Sequence, residues 1–177
     1  MQDFLSLSDE ALLAQCEVDV YRSSGPGGQH RNKVSSAVRL RHRPTGLTAH
    51  GDDTRSQHEN KRRALATLRM KIALEVRRPV DLGRLALPEV VAACRFTPKG
   101  AAADAPLRLQ VGRKDARFWP VARFLLDLLE VCEGRISQAA DLLHITTGNL
   151  TSILTDDRHL HAAAQGVRKR HGLGPLK

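Results

Sequence analysis

The residues best suited to chemistry lie together in Ser23-Ser24-Gly25-Pro26-Gly27-Gly28-Gln29-His30-Arg31-Asn32-Lys33. Three glycines and a proline fall within four positions, and amides and cations follow at once. So many glycines give up backbone entropy, which a positive φ or the close approach of another molecule would justify; here the close approach is the reading. Gly27 and Gly28 let the backbone turn free of side chains, so the Gln29 N–H can point at a reacting centre. The Gln29 amide both donates and accepts, and so can hold a water. A glutamine does not titrate, so such a loop works by preorganised hydrogen bonds rather than by abstracting a proton.

Two phosphate-binding loops are excluded by spacing. The Walker pattern needs Gly-Lys-Ser/Thr at its end, whereas Lys33 follows Asn32 and precedes Val34. The dinucleotide fingerprint needs a third glycine, and Gly25-Pro26-Gly27 runs on to His30 instead.

The ordered set Ser23-Ser24-Gly25-x-Gly27-Gly28-Gln29-His30-x-Asn32-Lys33, Ser36-Ala37-Val38-Arg39-Leu40, Pro44-Thr45-Gly46 and Arg55-Ser56-Gln57-x-x-Asn60-Lys61 resembles the GGQ domain of peptide chain release factors. It also resembles the smaller, codon-independent ribosome-rescue hydrolases, which this chain approaches in size. The resemblance spans Tyr21 to Ile72 and implies hydrolysis of the peptidyl-tRNA ester, with Gly27, Gly28 and Gln29 catalytic. It further implies that the ribosome and the terminal ribose of the tRNA supply the remaining groups. His30 receives no general-base role from it and is read as a structural or RNA-contacting residue.

Charge agrees with a polyanionic partner: 28 Lys and Arg stand against 19 Asp and Glu, a net charge of +9. The excess is local, because residues 1–20 hold five acids and no bases whereas residues 21–78 hold 14 bases and four acids. Cys16, Cys94 and Cys132 are scattered, without a C-x-x-C pair, which argues against a disulfide framework or zinc site and fits a reducing cytosol. His42, His50 and His58 fall on different expected elements, so no metal site is expected, nor any cofactor. The N-terminus shows neither a signal-peptide pattern nor a transit-peptide composition, and no long apolar run suggests a membrane. A cytoplasmic monomer is expected.

Stepping outward from the loop, Ser8-Asp9-Glu10 before Ala11-Leu12-Leu13 reads as a capped short helix, and Val18 to Arg22 as a strand delivering the chain to the loop. Val38 and Leu40 alternate with Arg39, Arg41 and Arg43, a strand with one apolar and one cationic face. Pro44-Thr45-Gly46 turns it into a return strand, Leu47 to His50. From Ser56 to about Arg77, Leu65, Leu68, Ile72 and Val76 form a helical stripe, with Ser56 and Glu59 as a capping box. Arg22, Arg31, Lys33, Arg39, Arg41, Arg43, Lys61 and Arg62 are the expected RNA-binding cations, directed at large-subunit rRNA. A same-sign row such as Arg39, Arg41 and Arg43 is costly unless phosphates face it. The result is an α+β domain, residues 1–78, with a small sheet, one long packed helix and a protruding loop.

Prolines and the run Lys99-Gly100-Ala101-Ala102-Ala103 mark a linker over 79–106, with a helical turn near 87–94. Residues 107–177 read as a mainly helical domain: Pro120 opens one helix, Gly134 closes it, and Ser137 to Leu154 resembles a helix-turn-helix unit. His144 occupies the turn position where glycine is usual, which implies a left-handed histidine. Such a unit serves either packing or further nucleic-acid contact, the latter through Thr146, Thr147, Asn149, Thr151 and Ser152. The tail Arg168-Lys169-Arg170-His171 is basic, which the helix dipole alone also favours. Only some twenty residues precede the loop, so codon-reading domains of full release factors are not expected ahead of it. The leading expectation is a codon-independent peptidyl-tRNA hydrolase; the alternative is a non-catalytic ribosome- or RNA-binding regulator.

Overall fold

The computed structural model describes residues 2–22, 36–102 and 104–176. The chain divides into two units, Met1–Val76 and Arg77–Lys177. Both helices and antiparallel strands contribute, so the fold class is α+β.

In the first unit, Ser8 accepts a hydrogen bond from the Ala11 N–H and starts α1 (Asp9–Ala14), with Asp9 and Glu10 in the first turn where the dipole favours them. Strands β1 (Cys16–Tyr21), β2 (Ala37–His42) and β3 (Thr48–Gly51) form an antiparallel sheet with β2 in the middle. Gly46, at φ +71°, makes the left-handed corner between β2 and β3 that a side chain would disfavour. Helix α2 (Gln57–Glu75) lies across β2 and β3, and Leu12, Val38, Leu40, Ala49, Leu65, Leu68 and Ile72 are buried.

The cap of α2 differs from the sequence expectation in one half. Ser56 does accept from the Glu59 N–H at 3.2 Å. The Glu59 carboxylate, instead of returning to the Ser56 N–H, binds Arg62 and Arg63 at 2.9–3.0 Å. Two guanidinium groups are stronger partners than one peptide N–H, and the Ser56 N–H is taken by the Thr54 hydroxyl.

Where β3 meets α2, the chain needs glycine: a Cβ on Gly51 would stand 2.0 Å from the Asn60 carbonyl oxygen. Opposite, at the other end of β2, His42 is fully buried. Its Nε2 lies 3.1 Å from the Gln15 Oε1 and its Nδ1 2.8 Å from the Thr45 hydroxyl. The first contact needs an N–H on Nε2, because an amide oxygen only accepts; in the neutral ring Nδ1 then accepts from the Thr45 hydroxyl. Phe4 packs edge-on against it, and burial pushes its pKa down.

The second unit is organised by α4 (Phe118–Val131), in which every residue from Val121 to Leu129 is buried. A helix buried all round is one surrounded by others, and α3 (Glu89–Ala92), α5 (Ile136–Leu142) and α7 (Arg158–Arg170) all contact it. Helix α4 begins two residues before Pro120, which therefore sits in the first turn, where its missing N–H leaves no bond unmade. Asp127, buried in α4, pairs with Arg77 at 3.0 Å and accepts from the Arg78 N–H at 3.1 Å. Segment 79–106 contributes α3 and β4 (Arg95–Phe96), and β4 pairs with β5 (Arg108–Leu109).

Helix α5 is followed by a turn in which His144 takes φ +53°, then by α6 (Thr147–Asp156), capped by Thr146. The left-handed histidine anticipated from its position is present. The basic end of α7 is tied down: Arg170 and His171 bind Glu130, and Arg168 donates to the Gly134 carbonyl at 2.8 Å. No helix among the described residues is long and apolar enough to cross a membrane.

Candidate functional site

Gly27, Gly28, Gln29, Arg31 and Lys33 lie outside the described residues. What is described is the frame that carries segment 23–35: the end of β1, the start of β2, and the turn leading into α2. Tyr21 and Ala37 are register partners, so the segment leaves and re-enters the sheet on adjacent strands.

The re-entry point is held by a polar cluster around Asn60, which is fully buried. Its Nδ2 donates to the Ser36 carbonyl at 2.8 Å and to the Thr54 carbonyl at 2.7 Å. Its Oδ1 accepts from the Thr54 N–H and from the Thr54 hydroxyl, each at 3.0 Å. The Ser36 hydroxyl donates to the Thr54 carbonyl at 3.1 Å. At the departing end, the Tyr21 hydroxyl meets His50 Nδ1 at 3.1 Å across the sheet. Asn60 belongs to the quoted motif, but its task was not read from the sequence. A signal was present: it falls four residues before Ala64 and eight before Leu68, on the stripe that faces the sheet.

The cationic row on the sheet is not of one sign. Because β1 runs antiparallel to β2, Asp19 stands opposite Arg39 and Glu17 opposite Arg41. Arg39 donates to Asp19 through Nε and Nη2 at 3.0 and 2.7 Å, and Arg41 lies 3.6 Å from Glu17. The hydrogen bond to Asp19 and the charge of that carboxylate push the Arg39 pKa up. Arg43 donates to the Ala14 carbonyl at 2.6 Å. These pairs are half-exposed, and exposed ion pairs contribute only about 0–1 kcal/mol, so a phosphate can compete for either arginine.

On α2, Arg62 and Arg63 share Glu59, whose pKa they pull down to about 2 through direct hydrogen bonds, and Arg63 also reaches Asp53 at 3.0 Å. Arg22, Arg55 and Lys61 have no acidic partner among the described residues, and Arg22 is exposed at the last described position before the loop. Arg55, absent from the expected binding set, is thus as available as any in it. No group of three or more His, Cys, Asp and Glu is placed to hold a metal ion among the described residues.

In the second unit, two of the five polar residues considered for nucleic-acid contact have structural work. Thr146 accepts from the Asn149 N–H, and the Asn149 amide pairs with both backbone groups of Leu109, at 2.8 and 3.0 Å. Thr147 and Ser152 are exposed and Thr151 is half-buried. Helix α6 carries no Lys or Arg, and its one charged residue is Asp156. Phosphate contact there would draw no cation from the helix itself.

Residues 11–81 match the family model of the RF-1 domain. Peptide chain release factor 1 of Leptothrix cholodnii is 56% identical over 64 residues, covering 36% of this chain and 18% of that protein. The same-named proteins of Methylibium petroleiphilum and Rickettsia bellii are 54% identical over 59 residues and 52% over 67. These cover 33% and 38% of this chain, and 16% and 19% of the relatives. The chain thus spans less than a fifth of the length of the curated relatives it matches. By motif and by identity over the matched residues, the part of this chain from 11 to 81, most of it in the first unit, is similar to the RF-1 domain of peptide chain release factors.

Proposed function

We propose that this chain hydrolyses the ester bond of peptidyl-tRNA on the ribosome, and does so without reading a codon. The observation that carries the hydrolase reading is Gly27-Gly28-Gln29 standing inside residues 11–81, the stretch that matches the RF-1 domain. On this reading the Gln29 backbone N–H stabilises the negative charge that develops on the carbonyl oxygen, and the Gln29 side chain selects and orients the attacking water. Gly27 and Gly28 keep the approach free of side chains. Large-subunit rRNA is the surface met by the cations of the first unit: Arg22 and Lys61 directly, Arg39, Arg41 and Arg62 by exchanging a carboxylate for a phosphate, together with Arg31, Lys33 and Arg43. Its place of work is the cytoplasm.

Release of labelled peptide from ribosome complexes whose A site is empty, or holds a sense or a stop codon, tests both parts. Release is expected from the empty or sense-codon complex. Gly28→Ala should cost on the order of a hundredfold to a thousandfold if it displaces the Gln29 N–H. Gln29→Ala, which keeps that N–H, should cost less and spare attack by small nucleophiles other than water. Strict dependence on a stop codon would refute codon independence. No release from any complex would refute the hydrolase, in favour of a non-catalytic ribosome-binding protein.

A further inference from the structure

We propose that Asn60 is a positioning residue for the catalytic loop: it fixes the peptide unit at which the loop rejoins the sheet. The proposal rests on the hydrolase reading and names what holds that reading's loop in place. The side chain sits where three segments converge, the start of β2, the end of β3 and the first turn of α2. Its bonds are spent on backbone outside the sheet ladder, at Ser36 and Thr54. Ser36 immediately precedes Ala37, the partner of Tyr21, so the held carbonyl belongs to the first described residue after segment 23–35.

The chemistry of the position admits few residues. An amide has two N–H donors and an oxygen with two acceptor sites, and all four are used here. The network also sets the amide's orientation, because a flipped group would turn its NH2 toward the Thr54 N–H. An aspartate can serve the Thr54 N–H and hydroxyl but cannot donate to the two carbonyls. A leucine can do neither and leaves the buried groups unpaired. Asparagine is a poor helix former, and in a helix whose other fully buried positions are Ala64, Leu65, Leu68, Ile72 and Ala73, packing alone does not call for one. The backbone of Asn60 is itself pinned, since Gly51 approaches its carbonyl closely enough to exclude a Cβ. The residue before β2 is therefore attached to a closely packed, fully hydrogen-bonded junction, and a small displacement there is carried to the reacting groups.

Two variants of the full-length protein test this, Asn60→Asp and Ser36→Ala. The second removes only the hydroxyl bond to the Thr54 carbonyl and keeps the question open to an answer should the first not fold. Peptide release is measured at saturating and subsaturating protein, and amide hydrogen exchange is measured at Ala37 in the free protein, with Leu68 as the reference in α2. For Asn60→Asp the saturating rate should fall about tenfold or more while the half-saturating concentration holds within about threefold, as expected of misplacement rather than lost binding. Exchange at Ala37 should rise with Leu68 unchanged. Ser36→Ala should lose about threefold in saturating rate, the worth of one hydrogen bond. Folded variants that keep the parent rate, or that change only the half-saturating concentration, would overturn the proposal beside an active parent. A parent that releases nothing would instead overturn the hydrolase reading; Ala37 exchange would then judge the clamp alone, faster exchange supporting it and parent-like exchange overturning it.

Discussion

Gly51→Ala puts a sign, and not merely a size, at stake. Gly51 has no positive φ, so alanine meets no backbone strain there, and where space allows, glycine to alanine stabilises by about 0.4–1 kcal/mol through the unfolded chain. Space does not allow it. The added Cβ would stand 2.0 Å from the Asn60 carbonyl oxygen, 2.8 Å from its carbon and 3.1 Å from the Ala64 nitrogen. All three are backbone atoms of α2, so no side chain can rotate away; the helix itself must retreat from β3 or the strand must bend. Retreat would loosen Ala64, Leu65 and Leu68, which are buried against the sheet. Overpacking of this kind costs about 1–3 kcal/mol, and contact with rigid backbone places it at the upper end. With a urea dependence of about 1–2 kcal/mol per molar, a loss of that size moves the midpoint down by about 1–3 M. The chain has one tryptophan, Trp119, and it lies in the second unit. Trp119 fluorescence therefore reports the second unit, and the amide signals of Leu40 and Leu68 report the first. The first-unit midpoint should fall in Gly51→Ala while the second unit serves as an internal control. A first-unit midpoint equal to or above the parent's would refute the close approach of β3 to α2.

Two further outcomes follow from the same unit. His42 has a folded pKa held below its usual value by burial, so the unfolded chain binds its proton first; the stability it contributes is complete above about pH 6.5 and is lost as pH falls from there through the folded pKa. The first-unit urea midpoint should decline between pH 7 and pH 5 in the parent and decline less in His42→Gln, and equal slopes would remove His42 as the cause. Glu17→Gln combined with Asp19→Asn frees Arg41 and Arg39 from their carboxylates, so ribosome affinity should rise and the log-log salt slope steepen by about 0.7–0.9 for each phosphate newly engaged. An unchanged slope would mean that this face does not meet RNA.

What the sequence by itself determined is local. The alternation of β2, the Ser56 start of α2, and the left-handed turn at His144 each depend on neighbours within a few residues, where backbone sterics and hydrophobic period act directly. Tertiary structure decided the partners of polar side chains. A run of arginines alternating with apolar residues reads as a cationic face until antiparallel register sets Asp19 and Glu17 against Arg39 and Arg41. The basic end of α7 likewise reads as a terminus favoured by the helix dipole until Glu130 and the Gly134 carbonyl are found beside it. Asn60 and His42 received no individual role from the sequence, and Asn149 only a nucleic-acid one, for the same reason. A hydrogen bond is satisfied by geometry between segments, such as Asn60 with Ser36 24 residues away, and periodicity carries no record of which distant backbone group will need a donor.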